Sequence, residues 1–411
     1  MRVCILNEFF YPDVMGGTPK VLSDLASKLR FSHGLDISVI TSRNSYRDPS
    51  VKFSSYENWE GIKIFRVEAP HWTSKSTPQR LAGNLLFTHR AKRRMLRDVK
   101  CDVVLVSSAP VTLPMAALAY LRRRKIPYVY VVYDMDPDRA VALGIADPHG
   151  LPVRALSWQQ RKWLHGAHTV VAIGRCMRDH LMERYEVPPD RIEVIEVGAD
   201  AYTVRPLPRN TKFRRENEID GFIVLYSGNF GKYHDFDTVL DAAKAVWSKK
   251  PSVTFVLVGR GAKKEHLQTR IATERIHNVK MFDFVPEEDY ADLIASADVC
   301  LVTLEAGMEG LCVPSKFYSI LAGGRPTLAL MRAKSEVAYA VDGEDIGIVV
   351  ELGDSGQLAK TVLQLTTKSE ELRVQGDRAR YLFEARYTSD IIAQKFEATL
   401  SKAAAKNSRS L

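Results

Sequence analysis

The feature that most constrains this chain is an alternation of short β-branched runs with helix-like segments, and the alternation occurs twice. In the first half, strand-like runs fall at 2–6, 36–41, 63–67, 102–106, 127–132, 168–173 and 192–195. Between them, Val21, Leu22, Leu25 and Leu29 share one face of a helix over 18–29, and 114–124 and 154–164 are also helix-like. The pattern restarts with strands at 222–227, 253–258, 279–282, 298–302, 326–330 and 347–350, separated by helical segments at 238–247, 287–296, 315–322 and 357–366. Parallel strands need a crossover, and a helix supplies it, so this order predicts a mostly parallel sheet with helices on both faces. The segment 206–220 is polar and holds two prolines, which reads as a linker. The expectation is an α/β chain of two doubly wound Rossmann-like domains, 1–205 and 206–387, facing across a cleft. The stretch 388–400 is expected to form a helix that crosses back to the first domain, and the tail to 411 is Ala/Lys/Ser-rich.

Composition removes several classes. No apolar run approaches the roughly 20 residues that a membrane-spanning helix requires. Five cysteines show neither paired spacing nor zinc-ligand spacing, and Cys4 and Cys300 sit inside apolar runs as small hydrophobes. The opening MRVCILNEFF enters a strand without an apolar signal core. A reducing, cytoplasmic setting is the expectation. The net charge of +9 is uneven: residues 1–200 carry 29 Lys+Arg against 21 Asp+Glu, and the remainder 29 against 28. The basic half points to an anionic partner. Six of the residues 90–100 are basic and follow Leu81, Leu85, Leu86 and Phe87, so 81–100 reads either as a solvated helix face or as a helix lying on an anionic membrane surface. Nucleic acid is not expected, because that run lacks interleaved aromatics and no recognition motif accompanies it.

In open α/β sheets, ligands bind beyond the carboxyl ends of the strands. Five loops at such ends carry candidate chemistry. Gly16 and Gly17 follow the first strand, and their expected use is a close backbone approach to an anion at a helix start. Gly228, Asn229, Lys232 and His234 lie in SGNFGKYHDFD after 222–227, a loop suited to a diphosphate although it lacks the phosphate-loop spacing. Gly259 and Arg260 follow the next strand in VGRG, a spacing that is structural in most proteins. In EAGMEGLCVPSKFYSILAGGRP, Ser315 reads as an N-cap, and Lys316 stands at a helix start, where the dipole disfavours a cation. A residue that costs local stability there suggests an anionic ligand. Finally, YDMDPD offers Asp134 for hydrogen bonding in the cleft; a metal-binding use of the DxD spacing is the lesser reading, since 235–237 repeats it.

Taken in order, GG, SGN…G, VGRG and PSK-helix-GGRP resemble glycosyltransferase family 4, retaining enzymes of the GT-B fold. The resemblance extends through NVKMFDFVPEEDYADLI and ADVCLVTLEAG, and is nearest to a branch with VPSK that builds bacterial surface polysaccharides and lipid-linked sugars. It implies an acceptor-binding first domain and a second domain holding a nucleotide diphosphate sugar, usually a UDP-sugar, with no metal or cofactor. The acceptor would be a saccharide or a polyprenyl-diphosphate-linked sugar, which would place the protein peripherally on the inner membrane face. By position, the resemblance gives Gly16 and Gly17 to the donor phosphates and reacting sugar, and Gly228 and Asn229 to the diphosphate loop, with His234 where a lysine is usual. It gives Gly259 to the nucleotide, Phe284 and Val285 to the base, and Asp134 to the reacting sugar. The family's two glutamates, seven residues apart, are not intact: Ser319 stands at the ribose-binding position and Leu311 at the other, with Glu309 nearby. In this reading Lys316 and Lys232 meet the diphosphate and Glu309 holds donor-sugar hydroxyls. A nucleotide-sugar 2-epimerase of the same fold, or an inactive nucleotide-sugar binder, are the alternatives.

Overall fold

A computed structural model describes residues 1–13, 17–45, 48, 50–68 and 77–408. The chain divides into two compact units, Met1–Val197 with Ser389–Leu411, and Gly198–Thr388.

The first unit holds an eight-stranded sheet. In chain order its strands are β1 (Arg2–Leu6), β2 (Asp36–Ser42), β3 (Tyr56–Trp59), β4 (Ile62–Val67), β5 (Val103–Ser107), β6 (Tyr128–Val132), β7 (Thr169–Ala172) and β8 (Ile192–Val194). They lie side by side in the order β3-β4-β2-β1-β5-β6-β7-β8. All pairs are parallel except β3 with β4. β5 and β6 are buried at every position, as expected of strands covered on both faces. The winding reverses between β1 and β5, so their carboxyl ends frame a switch point. β3 has no counterpart in the sequence reading, because YENW lacks apolar alternation. It is paired by the hairpin turn at Glu60 and Gly61, whose φ angles of 51° and 86° are both left-handed; the Gly61 N–H donates to Asn58 Oδ1 at 2.9 Å.

The second unit has six parallel strands: β9 (Phe222–Ser227), β10 (Val253–Val258), β11 (Val279–Phe282), β12 (Val299–Thr303), β13 (Thr327–Leu330) and β14 (Gly347–Val350). Their order is β11-β10-β9-β12-β13-β14, with the switch point between β9 and β12. Val224, Phe255, Leu257, Leu301 and Leu328 are among the strand side chains that form its core.

The polar segment 206–220 is not a loose linker. Arg214 is buried, and its guanidinium donates to Asp298 Oδ2 (2.7 Å), Ser296 O (2.7 Å) and Gly221 O (2.8 Å). Arg209 reaches the same carboxylate at 2.5 Å. Charge alone suggested solvent, but a guanidinium that is paired with a carboxylate and donates to several carbonyls can be buried. The segment is an integral part of the second unit, Gly198–Thr388.

The helix Ser389–Ser408 packs on the helix Gly17–Phe31 and on β5 and β6 of the first unit. Ile392, Ala393, Phe396, Leu400 and Ala403 form its buried stripe. Lys395 pairs with Glu196 at 2.7 Å, and Lys28 with Asp390 at 2.8 Å. Exposed pairs of this kind contribute little, so the stripe carries the docking. Phe396→Ala is expected to lower the unfolding free energy by about 3–5 kcal/mol; an unchanged urea midpoint would show that the helix is held otherwise.

Candidate functional site

At the carboxyl end of β9 the second unit concentrates its unusual chemistry. Ser227 ends the strand, and Gly228 follows with φ 149°. Its neighbour across the sheet, Gly259, follows β10 with φ 152°. A Cβ at Gly259 would lie 1.9 Å from the Gly228 carbonyl oxygen, and one at Gly228 would lie 2.8 Å from Lys316 Cε. Both positions therefore require glycine. Their N–H groups are not free for a ligand, however: Gly228 N donates to Val258 O and Gly259 N to Phe282 O, both at 2.9 Å. The glycines contribute the absence of a side chain rather than free hydrogen-bond donors.

Into the space above Gly228 comes Lys316, the first residue of the helix Lys316–Ala322. Its Nζ lies 3.6 Å from the centroid of the Tyr226 ring and is buried with no hydrogen-bond partner among the described residues. Burial holds its pKa well below the usual lysine range. Tyr226 is fixed from the other side, its hydroxyl donating to Asn229 O at 2.7 Å. Ser315 does not cap this helix with its side chain. It already has helical dihedrals (φ −60°, ψ −26°), and its carbonyl accepts from Tyr318 N at 3.1 Å. The first turn begins at Pro314, whose carbonyl takes Phe317 N at 3.1 Å, so Ser315 is inside the turn rather than ahead of it.

His234 is buried beneath the loop, and its Nδ1 donates to Thr303 O at 2.6 Å. Burial, and then the neighbouring Lys316 and Lys263, hold its pKa well below the usual value. The ring is neutral and cannot stand in for the lysine usual at its position. The cation that approaches this turn is Lys263, donating to His234 O at 2.6 Å and Glu305 Oε1 at 3.0 Å. Sequence reasoning missed it because it lies outside the glycine motifs. Lys232 is exposed on the loop. Arg260 pairs with Asp283 at 3.2 Å, Phe284 is exposed, and Val285 is half-buried.

Ser319, at the ribose glutamate position, and Ser227, at the β9 terminus, both lie close enough to the Tyr290 hydroxyl to offset part of the rise that burial causes in its pKa. Leu311 is buried. Glu309 accepts from Gly307 N at 2.8 Å, and Arg332 stands 4.0 Å from its other oxygen.

The first unit has its own polar floor at the carboxyl ends of β1, β5 and β6. Asp134 binds Arg139 at 2.7 Å, and Asp136 binds the same guanidinium at 2.9 Å. The Asp134 N–H donates to Ser108 Oγ at 3.2 Å. Burial, opposed by Arg139, pushes the Asp134 carboxyl up. The DxD spacing thus serves an arginine. Among the described residues, no group of three or more His, Cys, Asp or Glu is placed to hold a metal ion. Gly17 begins the first helix with φ 64° and is exposed; Gly16 lies outside the described residues.

Glu8 was not singled out from sequence. It follows β1 at the switch point. Its N–H donates to Ala109 O (3.1 Å), and its carbonyl accepts from Ser42 N (2.8 Å) and Thr41 Oγ1 (2.9 Å). Burial pushes its carboxyl up to about 7, with Arg80 opposing. The folded protein therefore favours the neutral acid. That costs nothing below the ordinary value of 4.5, and the cost is complete above about 7. Glu8→Gln should be neutral near pH 4 and stabilise by on the order of 2–3 kcal/mol above pH 7. Parallel thermal midpoints at both pH values would refute this.

The comparisons agree with this geometry. Residues 16–198 match the family model "Glycosyl transferase 4-like domain", and 209–381 match "Glycosyl transferases group 1". The probable glycosyltransferase WbjE of Pseudomonas aeruginosa is 28% identical over 315 residues, covering 76% of this chain and 77% of that protein. Among solved structures, sucrose-phosphate synthase from Thermosynechococcus elongatus superposes with a TM-score of 0.78 at 15% identity, covering 98% of this chain and 99% of the other. Anabaena HepE in complex with UDP-glucose gives 0.71 at 16% identity, covering 98% and 100%. Among the described residues, no helix is long and apolar enough to cross a membrane. Two family models in series, each on its own doubly wound unit, identify the chain as a family 4 glycosyltransferase of the GT-B fold.

Proposed function

We propose that this glycosyltransferase moves a hexose from a nucleotide diphosphate sugar, a UDP-sugar by preference, with retention of anomeric configuration. The acceptor is a saccharide or a polyprenyl-diphosphate-linked sugar in polysaccharide or glycolipid assembly. The observation that carries the donor reading is Lys316: a buried ammonium with no partner, at a strand end, above a glycine that leaves room beside it. A buried cation costs several kcal/mol unless an anion meets it, and a diphosphate is the anion that this reaction releases. Support for the nucleotide comes from the relatives, since HepE was solved with UDP and with UDP-glucose.

In this mechanism negative charge develops on the leaving diphosphate oxygen, and Lys316 stabilises it where it forms. Asn229 lies beside the same turn to hold a phosphate oxygen, with Lys232 at its exposed edge. Gly259 leaves the space for the nucleotide, and Phe284 and Val285 border the base. Tyr290 and Ser319 take over the ribose contact from the missing glutamate. Glu309 receives donor-sugar hydroxyls. The leaving phosphate accepts the acceptor hydroxyl proton on the same face of the sugar, so a protein nucleophile is not required. Asp134, held by Arg139, orients the acceptor side. The acceptor reading places the protein at the inner membrane face. There the helix Thr77–Asp98, with exposed Leu81, Leu85 and Leu86 among basic residues, lies on anionic lipid.

Lys316→Met should raise the melting temperature of the ligand-free protein, because it removes an unpaired buried charge. It should also abolish the rise produced by UDP-sugars and lower turnover roughly 100-fold or more. Near-normal turnover in the variant would overturn the assignment. Saturable binding by the wild type without hydrolysis or transfer would favour an inactive binder, the reading that the replaced glutamates Leu311 and Ser319 support.

A further inference from the structure

The polar side chains at the carboxyl ends of β1, β2, β5 and β6 are largely spent on one another and on nearby backbone. Asn7 accepts from Ser107 Oγ and donates to Phe9 O, both at 2.5 Å. Thr41 Oγ1 donates to Glu8 O at 2.9 Å, and Ser42 Oγ accepts from Asn44 N at 3.0 Å. Ser108 Oγ accepts from the N–H groups of Tyr133 and Asp134. Two groups stand apart. The Tyr133 hydroxyl is sealed from solvent and has no partner among the described residues. The Glu8 carboxyl likewise makes no hydrogen bond or ion pair with a described residue, yet Glu8 is only half-buried, so a ligand can reach it. Its backbone is fixed on both sides, by Ala109 O and by Ser42 N and Thr41 Oγ1, and this presents the carboxyl from a rigid base. A sheltered carboxyl without a partner costs free energy, and it stands at a switch point, where open α/β sheets take their ligands.

The surroundings indicate what that ligand is. Among the described residues, Arg80 on the helix Thr77–Asp98 is the charged group that acts on the carboxyl, and it does not pair with it. The chain ends packed alongside, 41–42 and 107–109, carry no charge. A carboxyl is the wrong group to meet a phosphate, because its ionised form repels one. With its proton it offers one O–H donor and a carbonyl acceptor, which suits neighbouring hydroxyls of a sugar. The loop that opens at Glu8 also carries an aromatic surface. Tyr11 stacks on Trp59 with centroids 4.1 Å apart and planes 6° apart, and both are half-buried. Buried Arg66 holds Tyr11 O at 2.8 Å. A pyranose has an apolar C–H face and a hydroxyl edge, and this loop supplies a surface for each.

We propose that the Glu8 carboxyl reads the acceptor: it hydrogen-bonds neighbouring hydroxyls of a neutral sugar ring at the switch point between β1 and β5, and it selects against rings that lack them. The proposal rests on the transferase reading and specifies its acceptor side: where the acceptor carries a diphosphate, that group lies away from Glu8. A site built to bond a hydroxyl rejects the analogue without it, because its own polar group is then left unpaired. Burial keeps Glu8 in the neutral form well above the ordinary value of 4.5, and that form is lost as the pH rises through about 7. Sugar binding falls with it.

The test is saturation-transfer NMR on the full chain with four octyl glycosides, the glucoside, galactoside, mannoside and N-acetylglucosaminide. Wild type, E8Q and E8A are compared near pH 6 and near pH 8. Wild type should bind at least one glycoside about tenfold more weakly at the higher pH. E8Q keeps a donor and an acceptor throughout and should bind equally at both. E8A should bind roughly tenfold more weakly than wild type near pH 6, and its melting-temperature rise with UDP-glucose checks that it is folded. E8A binding as wild type overturns the proposal, and so does E8Q keeping the pH dependence or wild type binding no glycoside. The UDP-glucose shift of wild type tests the transferase reading separately: its absence, with glycoside binding intact, would count against the donor site and leave Glu8 as a sugar-binding group.

Discussion

The donor-side chemistry depends on one buried ammonium group. Lys316 is held over the face of Tyr226, in a gap that exists because residue 228 has no side chain. The ring's electron-rich face compensates the charge only in part, by about 1–2 kcal/mol for a desolvated pair. The low pKa of Lys316 records what remains. A diphosphate in that gap would supply the missing counter-charge, so the stability lost in the empty site returns as binding energy.

The surrounding residues act mainly on the position of that ammonium. Gly259 lets the Gly228 carbonyl come close, and this fixes the turn. His234, neutral and bonded to Thr303 O, braces the turn without adding a second buried positive charge beside Lys316. Lys263 spends its charge on Glu305 and a carbonyl. One unpaired cation among paired or neutral neighbours makes a site selective for an anion. Two adjacent unpaired cations would have repelled each other and destabilised the loop.

The sequence made the strands legible because buried parallel strands are continuous β-branched runs, and that signal is local. It hid β3, whose pairing comes from a two-residue turn rather than from its own side chains. It also hid the burial of Arg214, since a charged side chain looks solvated unless its carboxylate, Asp298, is known to lie beside it. Lys316 was legible because a cation at a helix start contradicts the local dipole preference. Glu8 was not, because nothing in EFFYP tells that strand β1 stops at the switch point with its carboxyl turned away from water. The glycines were legible as places of close approach, but not the pairing of their N–H groups, because whether an N–H is free depends on which strand lies alongside.

Charge is divided between the two units in a way that fits the same logic. The excess of basic residues lies in the first 200 positions, whereas the second half is nearly neutral. A donor site needs one cation at a fixed point, and a surplus around it would bind any polyanion. A surface that meets a charged sheet of lipid needs many cations spread over an area, each contributing a little and none fixed tightly. Among the described residues, Arg90 donates to a backbone carbonyl, that of Glu68, and Arg122, Arg123 and Lys162 form no ion pair. The paired arginines of the second unit, Arg209, Arg214 and Arg270, are instead spent on Asp298, Asp237, Asp241 and Glu274. The first unit pairs cations too, Arg2 with Asp102, Arg139 with Asp134 and Arg161 with Glu186, and it is its surplus beyond such pairs that is left for a partner.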